Sequence, residues 1–370
     1  MHIPDIHEFV SPFIGKPVLE YSLRCPLYYF ASSKFNEILL NSGYELVHPE
    51  GFYFLRSERE FVFFEKDATQ PYTLHFYTTL MLPDLEEFFA VALREEYKNK
   101  YLLIRGSSLK MQEDFKAPEF DEIKNTVSNS VVSKLENSIY HFENFCDKYS
   151  KIHLSNTLGL LLYAPPGYGK SFILRSFLKK LLNKRGFTVV QLHQGAIINV
   201  NLSQLLDSCK NLFPCVLFIE DMDLMFYDRK LGRSATGELL ETLEGLYQAE
   251  NVVILATSNS VDEIDKALLR PGRFDYLIEI ETPSYEAKKV VLSEYMKDID
   301  FEIPNTMLEK LIEVSDTFAE LKGGFQHLVR TYMGTSEFPE FKEIEDMTYA
   351  WKESRTNGVT MNGKKRVGLV

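Results

Sequence analysis

The sequence predicts an α/β fold: a parallel five-stranded sheet with helices on both faces, a small helical lid after it, and an α+β domain before it. Three observations carry this. Short apolar runs alternate with helical spans between residues 158 and 281, the pattern of a parallel sheet covered on both sides. A glycine-rich turn, "PPGYGKS" (165–171), joins the first of those runs to a helical stretch. A later run, "CVLFIED" (215–221), ends abruptly in acid.

Length and composition set the frame. A chain of 370 residues has room for two or three domains with real cores. It is 45% apolar and 25% charged, with 28 Phe and 20 Tyr, which argues against long disorder. The formal charge of −12 disfavours broad, sequence-blind nucleic-acid binding, which needs many phosphate-neutralising cations. Cys25, Cys146, Cys209 and Cys215 form no CxxC pair. Neither a zinc site nor a disulfide framework is expected, and a reduced, cytoplasmic setting is. No apolar run approaches the roughly 18 residues of a transmembrane helix. The opening "MHIPDIHEFV" has no early Lys or Arg, unlike a secretory signal.

Residues 1–115 form the first expected domain. "YELVHP" (44–49), "GFYFLRS" (51–57), "EFVFFEK" (60–66) and "YTLHFYTTL" (72–80) are aromatic and β-branched runs broken by turn residues, an antiparallel meander. Residues 82–100 have helical spacing, with Leu85, Phe88, Phe89, Val91, Ala92 and Tyr97 on one broad face. "YLLIRGS" (101–107) reads as a further strand, and "FKAPEFDEI" (115–123) as a linker or entry segment. The large α/β domain is expected over 116–283. It opens with a helical span at 125–153 and continues with strands at 158–164, 187–194, 215–221, 251–259 and 275–281. The lid is expected over 284–335. A polar tail over 336–370 completes the chain and ends in "NGVTMNGKKRVGLV".

The turn after the first large-domain strand suits phosphate. Gly167-Tyr168-Gly169-Lys170-Ser171 sits at a strand-to-helix junction. Glycines there let backbone N–H groups curl round phosphate oxygens, and the helix adds its positive end. Lys170 is placed to reach the β- and γ-phosphates, and the Ser171 hydroxyl to ligate magnesium. Ala164 stands where the motif's first glycine belongs, and Pro165-Pro166 make the turn instead. The phosphate-binding stretch is thus Ala164, Pro165, Pro166, Gly167, Tyr168, Gly169, Lys170, Ser171 and Phe172.

The acid-ending run "VLFIEDMD" (216–223) begins 45 residues after Ser171, suitable for a neighbouring strand whose carboxyl end faces the same crevice. By register, Glu220 is the magnesium-side acid and Asp221 the acid that orients and polarises water. Asp is a methylene shorter than Glu, which sets the base back roughly 1–1.5 Å. Misplacement on that scale can cost about 100-fold in rate. Asp223 is a weaker candidate, expected to cap the following turn. Asn259 ends the next strand, where a neutral amide can orient water beside the γ-phosphate. Arg270 and Arg273 flank a "PG" turn beyond it and suit neutralisation of transition-state charge.

Together these motifs make residues 120–335 resemble an AAA-family (AAA+) ATPase module. "YAPPGYGKS" resembles Walker A, "LFIEDMD" Walker B, Asn259 sensor 1, "ALLRPGRFD" the end of the second region of homology, and "LLETLEGL" (239–246) the helix before sensor 1. The resemblance implies ATP with Mg2+, a helical lid, and a homo-oligomeric ring, usually a hexamer, in which Arg270 and Arg273 act on the neighbouring subunit's nucleotide. "IEDMD" and "KGGFQHL" (322–328) look most like the subgroup of the mitochondrial Rieske-protein translocase and its bacterial soluble relatives. That translocase's transmembrane anchor has no counterpart here.

Peptide-threading members of the family carry an aromatic residue after the second strand. Here "LHQGAIINVNLSQLL" (192–206) has none, and offers Ile197 and Ile198. Without an aromatic grip on an extended chain, the expected function is a ring-shaped chaperone or protein remodeller whose client is held by the N-terminal domain. Two other classes stay open. A nucleic-acid-associated motor or loader would use the basic patches "LLNKRGF" (181–187) and "DRKLGR" (228–233). A nucleotide-switched scaffold would show little turnover.

Overall fold

In the computed structural model, the aromatic runs of the N-terminal region pair into an antiparallel sheet. The structure describes residues 18–46, 53–57, 60–70, 72–105, 108–112, 115, 117–124, 128–151, 157–193, 200, 202–223, 252–260, 274–297 and 299–359. The sheet contains β1 (Leu19–Arg24), β2 (Glu45–Leu46), β3 (Tyr53–Ser57), β4 (Glu60–Lys66) and β5 (Thr73–Thr78), in the order β1-β5-β4-β3-β2. β2 to β5 are the predicted meander, and β1 pairs with β5 at its far edge. Two helices that the sequence pattern did not single out, α1 (Pro26–Phe30) and α2 (Ser32–Asn41), join the predicted α3 (Leu82–Tyr97). Phe35 of α2 stacks on Phe89 of α3 with ring centroids 4.0 Å apart, and meets Phe64 and Phe76 edge-on at 5.3 and 6.1 Å. This aromatic cluster fixes the helices to the sheet, each ring pair adding about 0.5–1.5 kcal/mol beyond buried area.

The chain then leaves that sheet. β6 (Tyr101–Arg105) and β7 (Ser108–Met111) pair with the strands that follow them: β8 (Thr157–Tyr163), β9 (Thr188–Leu192), β10 (Cys215–Ile219), β11 (Val252–Ser258) and β12 (Tyr276–Glu279). The last five are the predicted parallel strands. The whole sheet has seven strands, not five, in the order β12-β8-β11-β10-β9-β6-β7. β6 runs parallel to β9, with Leu102 beside Val190, and β7 closes the edge antiparallel. Every residue of β9 is buried, so an apolar neighbour on each side is what its composition requires. The boundary expected at residue 115 therefore falls beyond two strands of the larger sheet. Periodicity marks "YLLIR" as a strand but does not say which sheet it joins.

One continuous core follows from this pairing. Phe35, Phe76 and Phe89 of the N-terminal region share a buried cluster with Leu102, Val190 and Leu217 of the large sheet. α7 (Leu202–Lys210) packs on the same side, contributing Leu205 and Leu206. The opposite face carries α4 (Phe120–Ile123), α5 (Asn129–Lys151) and α6 (Lys170–Arg185) over a second cluster. The expected linker at 115–123 is docked: Phe120 is buried 5.1 Å from the Phe177 ring, and Asp121 pairs with Lys180 at 3.0 Å and Lys184 at 2.7 Å.

The lid is made of α8 (Tyr285–Met296), α9 (Asn305–Val314), α10 (Phe318–Thr335) and α11 (Phe341–Val359) around a third cluster. α11 corrects the tail expected over 336–370. Ile344, Thr348 and Trp351 recur at helical spacing. The first two are buried, and Trp351 lies against Gly323 of α10. Thr317 and Glu320 close a capping box at the start of α10, satisfying two end donors reciprocally. Among the described residues, no helix is long and apolar enough to cross a membrane.

Candidate functional site

The carboxyl ends of β8, β11 and β10, adjacent in the sheet, carry the predicted site residues. β8 is the topological switch point: the chain continues to one side through β9 and returns to the other at β12, which opens a crevice above it. The loop after β8 is tied to β11 by the Ala164 N–H, which donates to the Ser258 carbonyl at 3.3 Å. Gly167 and Gly169 have φ of 89° and 90°, a left-handed region that glycine enters without steric cost. Gly169 caps α6 with no side-chain bond to the first-turn amides, so those donors keep their pull on an anion. Pro165 and Pro166 are exposed, whereas Tyr168 and Phe172 lie half-buried against the second core.

The lid rests directly on this loop. The Phe318 N–H donates to the Gly167 carbonyl at 2.9 Å. A Cβ at Gly169 would stand 2.8 Å from Phe318 Cδ2. Beside the contact, a cavity of about 140 Å³ opens between Tyr168, Ile173, Val131, Ile280, Pro283 and Phe318.

Lys170 is the centre of the polar network. Its side chain is buried, and Nζ donates to the carbonyls of Ala164 (2.6 Å) and Pro165 (3.2 Å) and to Asn259 Oδ1 (2.9 Å). Burial lowers its pKa, while Asp221 and Asp223 oppose the shift. Asn259 in turn donates its Nδ2 to Asp223 Oδ2 at 3.0 Å and its backbone N–H to Asp223 Oδ1 at 3.2 Å. Asp223, expected to cap a turn, instead is buried and clamps the Asn259 amide. Its place two residues beyond Asp221 was the only signal for it in the sequence.

The two candidate acids point to different partners. Glu220 Oε2 accepts from Gln191 Nε2 at 3.0 Å and lies 3.8 Å from an Arg175 guanidinium nitrogen. Arg175 follows Ser171 by one helical turn on α6, so the two share a face and Glu220 lies on the serine's side of the helix. Asp221 has φ 50°, and its N–H is held by Thr257 Oγ1 at 2.8 Å. Burial raises its pKa, Glu220 and Asp223 raise it further, and Lys170 and His193 act against them. Gln191 and Thr257 were missed. Gln191 is a long polar residue set between Val190 and Leu192 in the strand "TVVQL", and that contrast was the available clue.

These groups fit magnesium in part. Among the described residues no cluster of three His, Cys, Asp or Glu side chains could hold a metal alone. A Ser171 hydroxyl with no partner among the described residues, and one carboxylate, are hard oxygens suited to an ion that keeps waters and substrate phosphates as its other ligands. Arg270, Arg273, Ile197, Ile198, "LLETLEGL" and "DRKLGR" lie outside the described residues.

Comparison with known proteins agrees with this geometry. Residues 160–282 match a family described as "ATPase family associated with various cellular activities (AAA)". The chain is 32% identical over 235 residues to a proteasome-associated ATPase of Nakamurella multipartita, covering 55% of this chain and 38% of that protein. It is 30% identical over 187 residues to a proteasome-activating nucleotidase of Saccharolobus islandicus, covering 46% of each. A putative cell division cycle ATPase of Plasmodium falciparum is 24% identical over 205 residues, 53% of this chain and 16% of that protein. The chain thus spans less than half the length of these relatives.

Proposed function

We propose that the chain binds ATP with magnesium above β8, β11 and β10, hydrolyses it, and uses the cycle to remodel protein, a reading supported by the match of residues 160–282 to the AAA family of ATPases. The Lys170–Asn259–Asp223 chain of hydrogen bonds is the observation that carries this reading. It puts the loop lysine in contact with the ends of the two strands that bear the amide and the acids.

Lys170 exchanges one of its carbonyl acceptors for phosphate oxygen. The glycine-framed loop and the amides opening α6 hold the remaining phosphate charge. Ser171 and Glu220 are the metal ligands, and magnesium, when bound, neutralises charge on the phosphates. Asp221 orients the attacking water and takes its proton, and Asn259 steadies that water from the neighbouring strand. The cavity between Tyr168, Ile173 and Phe318, lined by polar as well as apolar residues, suits the nucleotide base. Arg270 and Arg273 act from the adjacent subunit of a homo-oligomeric ring, a hexamer by family likeness. The finer likeness to the Rieske-translocase subgroup rests on the Glu220-Asp221 order and on Gly323-Gly324-Phe325 in the lid. Protein as client is supported by the names of the proteasome-linked relatives, and the N-terminal region is its holding surface.

Three variants test the site. Lys170→Ala abolishes nucleotide binding. Asp221→Asn keeps binding and loses hydrolysis. Normal phosphate release by Asp221→Asn would sink the assignment of the acids. Arg273→Ala slows turnover while sparing the affinity of each subunit for nucleotide, and mixing it with Lys170→Ala subunits reads whether it acts across the interface.

A further inference from the structure

Glu220 is held from behind by two residues of neighbouring strands. The Tyr101 hydroxyl of β6 donates to Gln191 Oε1 of β9 at 2.7 Å, and Gln191 Nε2 donates to Glu220 Oε2 at 3.0 Å. The order of donors is set by chemistry. A phenol hydroxyl bonded to the amide oxygen leaves the amide NH2 for the carboxylate. Tyr101 is itself fixed, 1% exposed, with its ring stacked on Phe115 at 4.1 Å. Gln191 is 5% exposed, so neither end of the bridge has water to turn to. Glu220 Oε1, by contrast, has no hydrogen-bond partner among the described residues.

We propose that Tyr101 and Gln191 are positioning residues for the magnesium site: they pin one oxygen of Glu220 so that the other faces the metal. Because β6 directly follows α3, the same bridge ties the nucleotide site to the N-terminal region. The inference rests on Glu220 being the metal-side acid. Groups that orient a metal ligand from behind typically change metal affinity by about 10–100-fold when removed, without touching the nucleotide.

The test is equilibrium binding of a fluorescent ATP analogue to the full chain, titrated with Mg2+, beside the Mg2+ dependence of phosphate release. Tyr101→Phe keeps the ring and its stack and loses only the hydroxyl. It leaves metal-free nucleotide affinity unchanged and raises the half-maximal Mg2+ concentration roughly 10-fold. Gln191→Leu raises it more, up to about 100-fold, and the double variant matches Gln191→Leu, because Tyr101 acts through Gln191. Glu220→Gln is the control. If it leaves the Mg2+ dependence alone, the reading of Glu220 fails. If it shifts that dependence while Tyr101→Phe and Gln191→Leu do not, the positioning role is overturned. Equal losses with and without Mg2+ overturn it too, as the mark of a purely structural bridge. Should Gln191→Leu fail to fold, Tyr101→Phe alone decides.

Discussion

Residue 221 has a backbone that suits its side chain. Its φ of 50° lies in the left-handed region, which Asp and Asn enter more readily than longer residues because their short polar side chains bond locally. The shorter acid thus occupies a turn whose backbone it adopts more readily than a longer acid would. Asp221→Glu is expected to destabilise the fold by on the order of 1 kcal/mol, readable by urea unfolding. Asp221→Asn should do the opposite in nucleotide-free protein. Burial, Glu220 and Asp223 raise the Asp221 carboxyl, with Lys170 and His193 opposing. A raised carboxyl costs stability as pH rises through its folded pKa, and that cost vanishes when pH falls toward the unfolded value of 3.8. Asp221→Asn should therefore be more stable than the parent at neutral pH and equal to it in acid. Parallel urea curves at the two pH values check this, and a pH-independent difference contradicts it. At this scale Lys170, Ser171, Glu220, Asp221 and Asn259 were legible because their types and spacings carry chemistry locally. Thr257, Gln191 and Tyr101 were not, because their roles arise only from strand neighbours distant in sequence.

Among the elements, the lid depends on close helix contacts. A Cβ on Gly324 of α10 would stand 2.2 Å from Leu311 Cδ1 of α9. Gly324→Ala must displace the Leu311 side chain or part the two helices, at about 1–3 kcal/mol, seen as earlier proteolysis of the lid. Lys288 of α8 adds a second tie, its buried Nζ donating to the Ile312 and Ser315 carbonyls at 2.9 and 2.8 Å. α4 is held by charge as well as by Phe120. Lys184 first, then Lys180, pulls the Asp121 carboxyl down to about 2. A depressed carboxyl contributes above its unfolded value of 3.8 and loses that contribution as pH falls through about 2. Asp121→Asn should flatten the acid-unfolding curve across that window, modestly, since the pair is solvent-exposed. The helices at 82–97 and over the lid were legible from their apolar spacing. The helix at 341–359 was not, because its inward stripe, buried Ile344 and Thr348 with half-buried Trp351, is thin among charged neighbours.

For the whole molecule, the shared core makes a strong demand. A chain cut to residues 116–359 would lack β6 and β7, uncovering the edge of the fully buried β9 and the Leu102–Val190 contact. It would also strip Phe35, Phe76 and Phe89 from the cluster that holds Leu217. That fragment should aggregate or bind a hydrophobic dye, whereas a fragment beginning at residue 18 stays soluble and melts cooperatively. Size-exclusion chromatography separates the two outcomes, and a monodisperse, cooperative 116–359 fragment would refute the shared core. The sequence by itself determined the five parallel strands, the glycine-framed loop at the head of α6, and the acidic end of β10, because periodicity, turn chemistry and residue type are local properties. Only the tertiary structure decided that the sheet continues into β6 and β7 and that Asp223 grips Asn259. It alone joined Tyr101 to Glu220 through Gln191, because strand order and cross-strand hydrogen bonds depend on which buried surfaces meet.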